Sequence, residues 1–187
     1  MSNKLQTDVL LILLNAIAII VVPILIVCSL IGTLFTGDTS PHKSDDEMIA
    51  SFQAHKAEFE TLVEMVKQDK NLKRVDGNWI DPKELETIGV SQTRIANYRN
   101  LFRATETPRG FSHYSPNSIL FVGSSRGLAV SGSSKSYVIF LNGKPDKIVE
   151  DTDEYREITA TELPNPQNKY PVYKHIEGNW YLEFEAN

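Results

Sequence analysis

Three arginines are the most promising chemical grouping in the sequence. Arg99 and Arg103 stand four residues apart, and Arg109 follows shortly after. On a helix, a spacing of four places two side chains on one face, and guanidinium forks suit the oxygens of phosphate or carboxylate groups. The three are therefore candidate ligand-binding residues for a small anion. The competing expectation is a solvated polar face whose charges pair with Glu106 and with the acidic stretch from Asp146 to Glu157.

Other chemistry is thinner. The four histidines (His42, His55, His113 and His175) show neither His-x-x-x-His nor Glu-x-x-His spacing, and the lone Cys28 cannot build a thiolate cage. No metal site is expected. Serines cluster at Gly123–Gly127 and at Ser131–Lys135, but neither segment reads Gly-x-Ser-x-Gly ahead of a helix. Ser125-Arg126 and Ser134-Lys135 read instead as turn residues. Asp151-x-Asp153 has the outline of a calcium loop without its glycine or distal glutamate, so a solvated loop or a surface for a basic partner is expected there. The expectation is no catalytic residue, no metal and no cofactor. A hydrolase remains open only if serine, histidine and carboxylate converge from distant positions.

The elements that must position these residues are legible in part. Ser91 is placed to cap a helix running to about Ala104, with Ile95, Tyr98, Leu101 and Phe102 on its apolar side. That helix would carry Arg99 and Arg103, and the Pro- and Gly-containing loop from Thr105 to Pro116 would carry Arg109. Ser44 and Glu47 form a capping box ahead of an earlier helix. Its stripe of Met48, Phe52, His55, Phe59, Leu62 and Val66 runs to about Asp69, with His55 on the packing face.

Strands account for most of the rest. Leu72–Ile80 reads as a hairpin turning at Asp76-Gly77, a dipeptide tolerant of positive φ. Ser118–Gly123, Leu128–Ser131 and Ser136–Leu141 read as three strands separated by Ser/Gly turns, followed by Asn142-Gly143. Tyr170–Ile176 and Asn179–Glu185 complete a meander. In the last strand Trp180, Leu182 and Phe184 share one face, while Tyr181, Glu183 and Glu185 share the other, in solvent or under a loop. The fold class expected is α+β: two helices packed on one face of an antiparallel β-meander. Val75-Asp76-Gly77-Asn78-Trp79-Ile80 is echoed by Ile176-Glu177-Gly178-Asn179-Trp180-Tyr181. The echo reads as one hairpin turn used twice.

Composition separates the chain into unlike parts. It has 187 residues and a formal net charge of −5, which argues against a nucleic-acid partner. No charged residue occurs from Val9 to Gly37, and the run from Val9 to Phe35 is 27 residues long. As a helix this run spans about 40 Å, enough to cross the roughly 30 Å hydrocarbon core with tilt. Expected domains are a cytoplasmic tail (1–8), a transmembrane helix (9–35), a linker (36–43) and a soluble domain (44–187). Lys4 and the terminal amine against Lys43 favour the N-terminus inside. A domain free of cysteine and of glycosylation sequons fits a bacterial inner-membrane protein with a periplasmic or extracellular domain. The expected function is non-enzymatic: the anchored domain meets a protein partner near the bilayer, as an inhibitor, immunity-type or assembly factor. An anchored sensor of a small anion is the alternative.

Overall fold

Seven strands form one sheet in the computed structural model, which describes residues 42–128, 131–155 and 171–186. The described residues fall in the second of two compact units into which the chain divides, Ser40–Asn187. No helix among them is long and apolar enough to cross a membrane. The run 9–35, with Cys28, lies outside them.

In chain order the elements are α1 (Asp45–Ala54), α2 (Lys56–Gln68), β1 (Arg74–Val75), β2 (Ile80–Asp81), a short 3-10 turn (Leu85–Ile88) and α3 (Gln92–Ala104). Then follow β3 (Phe111–Ser115), β4 (Ser118–Leu128), β5 (Ser131–Phe140), β6 (Val172–Glu177) and β7 (Trp180–Ala186). The strands pair antiparallel in the order β2-β1-β3-β4-β5-β7-β6. Beyond β6, Ile148 makes a parallel bridge to Tyr173. The expected α+β class is observed.

Both N-terminal caps act as their residues demand. Ser44 Oγ accepts from Glu47 N at 3.2 Å while the Glu47 carboxylate accepts from Ser44 N at 2.7 Å. Ser91 Oγ accepts from Arg94 N. Each bond satisfies an amide that the first helical turn leaves unpaired.

The first helix, expected to be continuous, breaks at His55 (φ −120°, ψ 25°), which ends α1 and starts α2. His55 is half-buried at the junction of the two helices. No proline or glycine marks the break. Phe52 and Phe59, on either side of the break, both reach Trp180, at ring separations of 5.0 and 5.6 Å. They also both reach Tyr137, at 6.1 and 4.7 Å. These aromatics join Ile95, Tyr98 and Phe102 of α3 in one core against one face of the sheet. Asp69 ties the helices together, accepting from Tyr98 Oη at 2.8 Å and from Arg94 Nε at 2.7 Å.

The strands differ from expectation in two places. Phe111–Ser115, expected within a loop, is a strand because β1 and β4 flank it and supply its hydrogen bonds. Its sequence, Phe-Ser-His-Tyr-Ser, lacks the apolar–polar alternation of a half-buried strand. The Ser/Gly segments expected as turns are the distal halves of β4 and β5, paired from Ser124↔Lys135 to Leu128↔Ser131. Leu128 therefore ends a long strand and does not begin a separate one. Gly123 stands at the register shift of β4, where an added Cβ would lie 3.1 Å from Met48 Cε.

The two echoed segments are both hairpin turns, β1–β2 and β6–β7, at opposite edges of the sheet. Gly178 adopts φ +52°, whereas Gly77 does not take a positive φ. In the first turn the Asp76 carboxylate accepts from the backbone amides of Asn78 and Trp79, which holds the turn without left-handed backbone.

Candidate functional site

Arg99 and Arg103 line one cleft of about 610 Å³. Helix α3 supplies both, together with Phe102 as an apolar wall. Gly77 of the β1–β2 turn, Pro108 and the β4 bulge residue Gly123 complete the enclosure. Among the described residues Lys43 contributes a third cation and Glu106 the one carboxylate. Arg109 is exposed and is not among the described residues lining the cleft. The structure thus brings two of the three candidate arginines together and adds Lys43, which lay at the end of the expected linker.

Charge in the cleft is unevenly compensated. Lys43 Nζ donates to the Glu106 carboxylate, and that contact holds the Glu106 carboxyl below its ordinary range. Arg99 Nε donates to the Asp76 carbonyl at 3.1 Å, and Arg103 donates to the Asn100 side-chain oxygen. Both acceptors are neutral. Among the described residues neither guanidinium forms an ion pair, although pairing with Glu106 or the acidic stretch was the competing expectation. A guanidinium has five N–H donors in a planar fork, so most of each fork remains available to an anion.

Glycine geometry shapes this wall. Gly110 has φ +66° and passes so close to β1 that a Cβ would lie 1.9 Å from the Val75 carbonyl oxygen. That approach sets the 105–110 segment, with Glu106 and Pro108, beside the turn that bears Gly77.

A second polar constellation lies under the N-terminus of α1. Lys135, 1% exposed, places Nζ 2.6 Å from Asp45 Oδ1, 2.7 Å from Asp153 Oδ1 and 3.0 Å from the Lys43 carbonyl. Asp45 also accepts from the Thr152 amide at 2.8 Å and from the Thr152 hydroxyl. Lys174 Nζ stands 3.2 Å from Asp45 Oδ2. Asp45, Asp151 and Asp153 could in geometry surround a cation. The Lys135 ammonium already fills that role, so the group is a clasp holding the 151–153 segment to α1 and β5.

This overturns two sequence readings: Lys135 is no turn residue, and Asp151 and Asp153 are no part of a merely solvated loop. Two-residue alternation carried the missing signal. Ser133, Lys135, Tyr137 and Ile139 share one strand face, and Tyr137 and Ile139 pack in or against the core.

His42 is also built into the domain. Its Nδ1 lies 2.6 Å from Ser124 Oγ and its Nε2 2.8 Å from Ser133 Oγ, joining β4 to β5. The imidazole is 3% exposed, whereas Ser124 and Ser133 are half-buried. Histidine and serine do meet, in an arrangement suited to anchoring the chain.

The fold and cleft together define an α+β domain with a guanidinium-lined recess between its helices and its sheet. Comparison of the chain with models of protein families, with characterised proteins and with solved structures finds no match.

Proposed function

We propose that this chain is a membrane-anchored, non-enzymatic binding protein whose domain takes a small anion in the cleft between α3 and the β1–β2 turn. The observation that carries this reading is the pair of guanidiniums, Arg99 and Arg103, lining one recess without a carboxylate partner among the described residues. A phosphate or carboxylate there gains charge-assisted, bidentate bonds of the kind arginine forms best. Lys43 strengthens the local positive field, and Phe102 supports the ligand's apolar part. Titrating the full chain in detergent with inorganic phosphate and with succinate tests it. Saturable binding is expected for at least one, weakened about tenfold or more in Arg99→Gln/Arg103→Gln, since bonds to charged groups each contribute about 1.5–3 kcal/mol. Arg109→Gln is expected to bind as the parent does. Equal affinity in all three proteins would remove the proposal.

A protein partner is the second reading, favoured by Trp79. This indole is 51% exposed on the turn that also supplies Gly77, with Lys83 Nζ 5.2 Å from its ring centre. Exposed tryptophan is a common anchor of protein contacts. In either reading the 9–35 run serves as a single-pass anchor in a bacterial inner membrane, with the domain outside the cytoplasm. Alkaline phosphatase fused to the C-terminus is expected to be active in bacteria. An inactive phosphatase, alongside a fluorescent green fusion at the same terminus, would place the domain inside.

A further inference from the structure

We infer that the sheet face turned away from the helices carries a binding site for a small organic diammonium ion, built on Glu183 and Glu185. The last strand was expected to show solvent or a loop the side bearing Tyr181, Glu183 and Glu185. Of these, Tyr181 and Glu183 are buried, which excludes full solvent exposure of that side, and a cavity of about 480 Å³ opens beside Glu183. Leu120 and Val138 give it an apolar floor. The hydroxyls of Ser112, Ser115, Ser118 and Tyr173 and the two carboxylates give it a polar wall with no basic residue among those described.

Three observations point to a cationic occupant. Glu183 is only 8% exposed, and among the described residues it forms no ion pair, an expensive state for a carboxylate. Burial pushes its carboxyl up to about 7 although the Tyr173 hydrogen bond pulls it down, and Glu185 adds to the rise. Independently, Ser136 lies directly across from Glu183 on the same face, is fully buried, and its hydroxyl has no hydrogen-bond partner among the described residues.

The shape selects the class of cation. Glu183 and Glu185 are two apart on one strand, so their carboxylates project from points about 7 Å apart. A short aliphatic diamine spans that interval and lays its methylene stem on Leu120 and Val138. Each ammonium has three donors for carboxylate and hydroxyl oxygens. A bare divalent metal would leave the apolar floor uncovered and needs six or more oxygens at close range.

Calorimetric titration of the full chain in detergent with putrescine tests the assignment. Saturable binding is expected, weakened about tenfold or more in Glu183→Gln and also weakened in Glu185→Gln. Arg99→Gln/Arg103→Gln, altered only in the anion cleft, is expected to bind putrescine as the parent does. Butylamine, with one charge, is expected to bind at least about tenfold more weakly than putrescine. The melting of the fluorescence of Trp79 and Trp180 reports whether each variant is folded, and Glu185→Gln decides the matter if Glu183→Gln is not. Absence of saturable binding, parental affinity in the folded variants, or equal binding of butylamine or magnesium would overturn the inference.

Discussion

Replacing Lys135 by methionine is expected to cost about 3–5 kcal/mol, the usual toll of removing one member of a buried ion pair. Methionine preserves most of the stem's volume, so the loss is electrostatic and not a packing defect. It leaves Asp45, 2% exposed, without the ammonium that lies 2.6 Å away. Lys174, 21% exposed at its side chain, reaches the same carboxylate at 3.2 Å and cannot replace it. Lys174→Met is accordingly expected to cost about 1 kcal/mol or less. Urea midpoints at unchanged m-value measure both, and Lys135→Met/Asp45→Asn is expected to recover part of the loss.

The same cluster sets a pH dependence. Burial alone would raise the Asp45 carboxyl, but hydrogen bonds from Lys135 and Thr152, aided by the lysine charge, override it and hold the group far below the usual carboxylate range. A depressed folded-state value means that the contribution is complete above the unfolded value of about 3.9 and drains away as pH falls further. Parent and Lys135→Met stabilities therefore converge on strong acidification. A gap that stayed constant down to pH 2 would refute the electrostatic account.

Gly110→Ala is the second substitution expected to be severe, at about 3–5 kcal/mol. Two costs combine: a left-handed φ of +66° for a residue with a side chain, and a Cβ 1.9 Å from the Val75 oxygen and 2.8 Å from Asp76 Cα. Both obstacles are backbone atoms, so no rotamer change relieves them. Gly89→Ala separates the two costs, because Gly89 has φ +72° but nothing within 4 Å of an added Cβ. About 1 kcal/mol is expected there. Similar losses at both positions would mean that the contact with β1 is unimportant. A folded Gly110→Ala protein is also expected to bind anions more weakly, since β1 and its turn must retreat from the 105–110 segment.

Much of the fold was legible because local chemistry agreed with it. Ser44 and Glu47, Ser91 and the Asp76 turn each pointed to an element that is present, and the stripe from Met48 to Val66 pointed to helix, though to one where there are two. The failures share a physical cause. Phe111–Ser115 and the Ser/Gly halves of β4 and β5 are strands through their neighbours' hydrogen bonds, and propensity is blind to partners far along the chain. The Arg99–Arg103 pair was legible because helical spacing alone brings it together. Lys43 was not, because it reaches Glu106 only after distant segments have packed. Lys135 was misread because a Ser-rich context suggested a turn, although the strand's alternation assigned it inward.

The seat of His42 between Ser124 and Ser133 has a mechanical consequence. β4 and β5 stand fourth and fifth among seven strands, so the chain is fastened to the middle of the sheet and not to an edge. A pull along the chain ahead of His42 is thus delivered to the longest ladder in the sheet, where many backbone hydrogen bonds share the load. The short edge strands are spared, and a domain seated in this way resists being peeled open by a pull at His42.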